Sequence, residues 1–309
     1  MEIARTLSAK SLYFENILAR SRDYYQLTKP KVVALLVLTA WVGMMLATPR
    51  VPDLSLMFMA SLGIGLVSSA AAAFNHVLDQ KIDAQMARTY MRPLPKGRLS
   101  NRQALIFASV IAVVGFFILV NWVNTLTAVL TLFGLLGYAV IYTILLKRAT
   151  PQNIVIGGLA GALPPLLGWT AISGEVSAHA LLLVMIVFTW TPPHFWALAI
   201  HRRHDYAKVN VPMLPVTHGV EFTKTAVLFY CVLLFLVCLL PYLVAMSGLI
   251  YLVGSCYLNA VFLWHALRLK YKPTPESAMA TFRFSIVHLM LLFLVLLVDH
   301  YIKWSFLGA

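Results

Sequence analysis

The chain has 309 residues, of which 61% are hydrophobic and 11% are charged, and its formal net charge is +13. A disordered chain would be polar, and a soluble domain of this size could not bury so much apolar surface. A nucleic-acid-binding protein would carry its positive charge on a polar surface, so the class that remains is a polytopic membrane protein.

Nine apolar stretches are long enough to cross a bilayer, because a spanning helix needs roughly 20 apolar residues. They cover residues 32–48, 54–78, 104–121, 125–146, 153–172, 180–200, 225–246, 249–267 and 284–302. We therefore predict an all-α membrane protein in which residues 27–309 form one transmembrane domain and residues 1–26 form a cytoplasmic tail.

The basic residues alternate between the two sides of this predicted bundle. All of the 24 Lys and Arg residues except Arg50 and Lys303 lie in the N-terminal tail or in the even-numbered connections. Because Lys and Arg are retained in the cytoplasm, the pattern predicts a cytoplasmic N-terminus and, with nine spans, a periplasmic C-terminus. The tail mixes acidic and basic residues and has no apolar core, which argues against a signal peptide or a mitochondrial transit peptide. We expect a bacterial inner membrane.

Polar side chains end the second predicted span at four-residue intervals. Asn75, Asp79 and Asp83 would share one helix face over two turns. Oxygen ligands that converge from one face suit Mg²⁺, which shares its other positions with water and phosphate. The next loop carries basic residues among prolines and a glycine, namely Arg88, Arg92, Lys96 and Arg98. The pattern predicts a metal site beside a phosphate-binding loop. The alternative is a solvated helix end followed by an ordinary basic loop.

A second polar segment follows the sixth span and contains His201, Arg202, Arg203, His204 and Asp205. Like the first segment, it ends an even-numbered span on the basic side and runs into a loop with two nearby prolines, which are Pro212 and Pro215 here and Pro93 and Pro95 in the first loop. This similarity suggests an internal pseudo-repeat whose two loops face each other over one cavity. The fourth connection supplies two more cations, Lys147 and Arg148.

These motifs resemble a known family. The triplet of Asn75, Asp79 and Asp83, followed by RTYMRPL at residues 88–94, resembles the intramembrane prenyltransferases of the UbiA type. Further runs are similar to the branch of that family that farnesylates protohaem IX. They are LTKPKV at 27–32, GGLAGALPPLLGW at 157–169, TPPHFWA at 191–197 and VPMLPV at 211–216.

The resemblance implies nine helices around a central cavity that opens toward the cytoplasm. It implies a reaction in which farnesyl diphosphate, haem b and water give haem O and diphosphate, with haem A synthase or a terminal oxidase as expected partners in the bilayer. It further implies Mg²⁺ on Asn75, Asp79 and Asp83, with Asp205 as an added candidate ligand. The implied diphosphate-binding residues are Arg88, Arg92, Lys147, Arg148 and Arg202, although the propionates of haem could engage some of these cations instead.

The chain departs from the family pattern in the sixth connection. Relatives that act on quinones carry a second aspartate-rich motif there, whereas here only Asp205 is acidic, and Asn210 stands where glycine is expected. His194 follows Pro192 and Pro193, and we predict that it contacts the haem iron, positions water, or bonds to carbonyls that the prolines leave without donors. Two other functions stay open, namely prenyl transfer to a quinone or chlorin precursor and transport of haem or lipid without chemistry.

Overall fold

The computed structural model describes residues 18–87 and 89–306, with the side chains of residue 148 and residues 303–306 left aside. Within these ranges the chain contains helices, turns and bends and no strand, which confirms the predicted all-α class. Eight helices are long and apolar enough to cross a membrane, and a ninth span results if the pair Leu18–Leu27 and Pro30–Leu46, which is bent by 52°, is counted as one.

The helices follow the predicted apolar runs in chain order. They are α1 (Leu18–Leu27), α2 (Pro30–Leu46), α3 (Leu54–Leu78), α4 (Gln80–Asp83), α5 (Asn101–Trp122), α6 (Thr125–Leu136), which continues as a π-helical segment (Gly137–Leu146), α7 (Lys147–Ala149), α8 (Asn153–Ala162), α9 (Pro164–Ser173), α10 (Ala178–His201), α11 (Arg203–Lys208), α12 (Leu214–Thr217), α13 (Gly219–Leu243), α14 (Leu249–Tyr271) and α15 (Ser277–Phe306).

Two helices begin well before their apolar runs. α13 begins at Gly219 and α15 at Ser277, whereas the predicted spans begin at residues 225 and 284. The early turns are polar and are stabilised locally, as in the ion pair of 2.7 Å between Lys224 and Glu221. An apolar run marks the depth of the membrane, whereas a helix continues as long as its backbone and its side chains support it.

Glycines bring α2 and α9 into close contact. A Cβ atom on Gly168 would lie 1.8 Å from the carbonyl oxygen of Ala40, and one on Gly43 would lie 2.0 Å from that of Pro165. Small residues at such crossings let two backbones approach, and van der Waals packing then holds the helices together inside a bilayer. The contact fixes α2, whose first turn lies next to the polar residues described below.

Two proline pairs have different effects on the helices that contain them. The pair Pro164–Pro165 lies where one predicted span is divided into α8 and α9. The pair Pro192–Pro193 lies inside α10, which continues to His201 without a break. The expected interruption at the second pair is therefore limited to the two missing N–H donors and does not end the helix.

Candidate active site

The first polar segment is buried at the junction of α3 and α4. Asn75, Asp79 and Asp83 are each 4% exposed. Asp79 ends α3 and Asp83 is the last residue of α4, so the helix is interrupted where the sequence suggested a continuous one. The four-residue register nevertheless persists, because the amide of Asp79 donates to the Asn75 carbonyl at 2.9 Å and that of Asp83 donates to the Asp79 carbonyl at 2.8 Å. The three side chains therefore come from successive turns.

Each of these three side chains contacts a cation. Lys147 Nζ lies 2.5 Å from Asp79 Oδ2, and an Arg92 guanidinium nitrogen lies 2.5 Å from Asp83 Oδ2. Lys29 donates from Nζ to Asn75 Oδ1. Of the predicted phosphate ligands, Lys147 and Arg92 thus reach the first polar segment, while Arg88 and the side chain of Arg148 lie outside the described part of the structure.

Lys29 was not among the predicted site residues. It precedes α2 with a φ of 48° and a ψ of 58°, a left-handed conformation that is unfavourable for a residue before proline. Its Nζ lies 5.9 Å from the centre of the Tyr138 ring, within the range of a cation–π contact. Backbone strain of this kind persists only where surrounding contacts over-determine it, and Asn75 and Tyr138 are among the contacts of Lys29. The sequence feature that could have pointed to Lys29 is its place in the LTKPKV run at residues 27–32.

The π-helical segment contributes Thr143, which sequence reasoning missed. Asn75 Nδ2 donates to Asp79 Oδ2 at 2.8 Å and to Thr143 Oγ1 at 3.2 Å. The backbone N–H of Lys147 donates to the Tyr142 carbonyl five residues earlier, which is the π-helical register. Tyr138 and Tyr142 stack with ring centres 5.7 Å apart. The segment thus directs Thr143 and Lys147 toward α3.

The loop after α4 holds Arg92 against Asp83. Thr89 Oγ1 donates to the Asp83 carbonyl at 2.9 Å, and the Arg92 amide donates to the Thr89 carbonyl at 3.0 Å. The other two cations of this loop lie elsewhere. Lys96 lies over the Tyr90 ring and Arg98 lies 3.4 Å from Asp23 on α1. The loop therefore presents Arg92 to the first polar segment and is tied to α1 on its other side.

The second polar segment lines a cavity of about 240 Å³, to which it contributes Arg202 and Asp205, followed by Tyr206. Met86, from the loop after α4, lines the same cavity, and the internal pseudo-repeat stays a prediction. Arg202 lies 3.4 Å from Asp205. Among the described residues no three His, Cys, Asp or Glu side chains form a cluster that could hold a metal ion, so Asp79, Asp83 and Asp205 do not together form such a cluster in this structure. Its role as a metal ligand stays a prediction.

Asn210 adopts a φ of 53°. Only glycine enters this left-handed region without cost, and asparagine tolerates it better than other side chains do. The structure thus explains how asparagine serves at the position where glycine was expected.

His194 is almost buried in α10 and contacts α15. Its Nδ1 lies 2.6 Å from Ser285 Oγ, and its ring stacks on Trp190 with a centroid distance of 4.3 Å and lies 4.6 Å from the ring of Phe282. The partner of the imidazole is therefore a hydroxyl group, and not the carbonyls left without donors by the prolines. Phe282 contacts His194 and also lines that cavity, whereas His194 is not among the lining residues.

The donor atoms at the first polar segment fit a Mg²⁺ ion. Among the described residues, the hydrogen bonds to the Asp79 and Asp83 carboxylates all go to Oδ2, which leaves Oδ1 of each for a metal or its water. Mg²⁺ is usually bound by one or two carboxylates together with waters and substrate phosphates. Asn75 would contribute through the same oxygen that now accepts from Lys29.

Comparison with known proteins identifies the family. The model of the UbiA prenyltransferase family matches residues 36–297. A protoheme IX farnesyltransferase of Colwellia psychrerythraea is 65% identical over 93% of this chain and 94% of its own length. A solved digeranylgeranylglyceryl phosphate synthase has the same fold, with a TM-score of 0.77 at 18% identity over 92% of this chain and 99% of its own. A UbiA homologue of Archaeoglobus fulgidus, described as bound to DMAPP and Mg²⁺, has a TM-score of 0.60 at 14% identity over 89% of this chain and 99% of its own. The chain therefore belongs to the UbiA prenyltransferase family, within the group of the protohaem IX farnesyltransferases.

Proposed function

We propose that this chain transfers the farnesyl group of farnesyl diphosphate to a vinyl group of haem b, with addition of water, to give haem O and diphosphate. The observation that carries the proposal is the buried set of two carboxylates and an amide, each in contact with a cation from a different element. The high identity to a protoheme IX farnesyltransferase over nearly the whole chain supports the choice of donor and acceptor.

The donor diphosphate binds at the first polar segment in this proposal. Lys147, Arg92 and Lys29 can move from Asp79, Asp83 and Asn75 to the oxygens of the diphosphate, because their long side chains rotate about several bonds. Arg88 and Arg148 would join them. Cations placed where charge develops, in a site shielded from water, stabilise the departing group more than they would in bulk solvent.

We propose Asn75, Asp79 and Asp83 as the ligands of a Mg²⁺ ion, by analogy with the relative described as bound to DMAPP and Mg²⁺. When bound, Mg²⁺ offsets the negative charge of the diphosphate. Asp79 and Asp83 would offer Oδ1 to the ion, because in this structure Oδ2 is the oxygen that accepts from Lys147 or Arg92. Asp205 is the further candidate ligand, from the opposite loop.

The chemical step breaks the bond between the first farnesyl carbon and the diphosphate oxygen, and the electron pair leaves with the diphosphate. The vinyl group of haem attacks the resulting allylic cation, and water adds to the cation that forms beside the porphyrin and then loses a proton. The residues of this chain bind and neutralise the leaving group, while the apolar spans give the farnesyl tail a bilayer-like solvent.

We also propose the cellular placement. The basic residues lie on the side of the two polar segments, so the active site would face the cytoplasm and the C-terminus the periplasm, in a bacterial inner membrane.

The test is mass spectrometry of the haems formed when purified protein is incubated with haem b, farnesyl diphosphate and Mg²⁺, with and without a chelator. We expect a product that carries one farnesyl group plus water and that the chelator abolishes. Prenylation of a quinone precursor without any haem product would overturn the acceptor and keep the donor site. Inactivity toward both in a folded preparation would favour a haem or lipid carrier.

A further inference from the structure

The cavity beside the second polar segment has a mostly apolar wall and one cation. It is bounded by the end of α10, α11, the first turns of α15 and the loop after α4. Its lining residues are Met86, Leu198, Arg202, Asp205, Tyr206, Met279 and Phe282. Apolar and aromatic walls with a few polar groups are typical of sites for flat organic ligands.

Arg202 is incompletely bonded in this cavity. Its Nε is buried and, within the described residues, has no hydrogen-bond partner. Its only ion pair there, with Asp205, is 3.4 Å long, and 39% of the Arg202 side chain is exposed. A guanidinium group has five N–H donors in a planar fork that matches a carboxylate, and a buried donor without a partner is costly. The arrangement therefore favours a ligand that brings an anionic oxygen pair into the cavity.

Arg202 also differs in position from the cations of the first polar segment. Lys147 and Arg92 pair with Asp79 and Asp83, whereas the ion pair that Arg202 makes within the described residues is with Asp205, and the three carboxylates form no common cluster there. The cavity nevertheless adjoins the first polar segment, because Met86 follows Asp83 by three residues. A ligand held by Arg202 would therefore reach the donor site without sharing its cations.

We propose that Arg202 binds a propionate carboxylate of the tetrapyrrole acceptor and does not bind the diphosphate. The proposal rests on the proposed function and refines it, since it divides the basic residues between the two substrates. In this arrangement Phe282 and Met86 contact the edge of the acceptor ring.

The experiment compares Arg202→Gln with the matched control Arg203→Gln. Arg203 is the next residue along the chain, is exposed and contacts only His204 through its Nε among the described residues. For each variant, binding of haem b and of haem b dimethyl ester is titrated by absorbance without donor, and the KM for farnesyl diphosphate is measured. The ester keeps the ring and removes both carboxylate charges.

We expect Arg202→Gln to weaken binding of haem b by roughly tenfold, the range of a charge-assisted hydrogen bond, with the KM for farnesyl diphosphate unchanged. The ester should bind equally to Arg202→Gln and to the unaltered protein. Arg203→Gln should resemble the unaltered protein with all three ligands. Arg202→Lys, which keeps the charge and loses Nε, should fall between the two.

Three results would overturn the proposal: a raised KM for farnesyl diphosphate with unchanged haem binding, an equal loss for haem b and its ester, or no difference between the two glutamine variants. Failure of the proposed function is seen separately, as an unaltered protein that forms no haem O. An unaltered protein that forms haem O, with Arg202→Gln indistinguishable from Arg203→Gln, rejects only the role of Arg202.

Discussion

Buried carboxylates lie at opposite ends of the bundle, two at one end and Asp299 at the other, and their partners differ. Asp79 and Asp83 pair with the side chains of Lys147 and Arg92. Asp299, which is 2% exposed, instead accepts from the backbone amides of Gly248 at 2.5 Å and Tyr251 at 3.1 Å, at the start of α14.

The comparison distinguishes carboxylates that stabilise the fold from carboxylates whose cationic partners can be exchanged for a ligand. A carboxylate that accepts from helix N-terminal amides supplies bonds that the backbone needs, and those donors cannot turn away. Lysine and arginine side chains can leave a carboxylate when a diphosphate or a metal ion arrives. Burial of an acidic residue in a membrane protein is therefore a weaker indicator of function than the nature of its donors.

The largest expected effect is the loss of turnover when Asp79 or Asp83 is replaced. Asp79→Asn and Asp83→Asn should each lower kcat by about a thousandfold, because the charge that would hold the metal and its cation is removed. Farnesyl transfer to haem b at saturating Mg²⁺ measures the effect, and the thermal midpoint checks that each variant is folded. Substantial activity in either variant would contradict the metal assignment.

Lys147→Met tests whether Lys147, which pairs with Asp79 in this structure, binds farnesyl diphosphate. We expect the KM for farnesyl diphosphate to rise by about ten- to a hundredfold while haem binding stays unchanged, since a charged donor to the diphosphate is lost. Lys96→Met is the control, because Lys96 is exposed and lies over Tyr90. A selective loss of haem binding in Lys147→Met would assign Lys147 to a propionate.

Asp299→Asn should show the opposite pattern. Losing a charged acceptor for two amides should lower the free energy of unfolding by about 1–3 kcal/mol and leave the activity per folded molecule unchanged. Denaturation in detergent measures the first quantity and the haem assay the second. Asp53→Asn is the control, since Asp53 caps α3 through a bond of 2.9 Å to the Leu56 amide in an exposed position and should cost less. A folded but inactive Asp299→Asn would contradict the view that Asp299 stabilises the fold and takes no part in turnover.

Lys29→Met should have the smallest effect. Its partner Asn75 is neutral, so we expect the KM for farnesyl diphosphate to rise by about fivefold, less than for Lys147→Met. Lys29→Arg keeps the charge and should recover most of the loss. An effect larger than that of Lys147→Met would place Lys29 nearer to the diphosphate than Lys147.

The sequence located most of the fold because each span is an apolar run bounded by polar residues. It did not predict the polar first turns of α13 and α15, since these helices extend beyond the apolar depth that the runs measure. It brought Asn75, Asp79, Asp83 and Arg92 together because their spacing and charge are local signals, and the structure places these residues in contact with one another or with cations. Lys147 is 68 residues away from Asp79, so its place beside them was implied by the family resemblance and not by spacing.

Other parts of the site could not be predicted. Thr143 lies inside a uniformly apolar span, where no periodicity distinguishes a π-helix from an α-helix. Lys29 reaches Asn75 only through its left-handed backbone, which proline normally disfavours. The diphosphate assignment of Arg202 stays a prediction, and charge alone does not tell whether this cation faces the diphosphate or the acceptor.

The π-helical segment Gly137–Leu146 also determines the direction in which the side chains at the end of the fourth span point. Each residue turns an α-helix by about 100°, so deleting one residue there would rotate everything that follows by that angle. The residues of the span before the deletion would keep their orientation, while Lys147 would turn away from Asp79. The length of this span is thus fixed to the single residue, although nearly any apolar side chain would satisfy the bilayer.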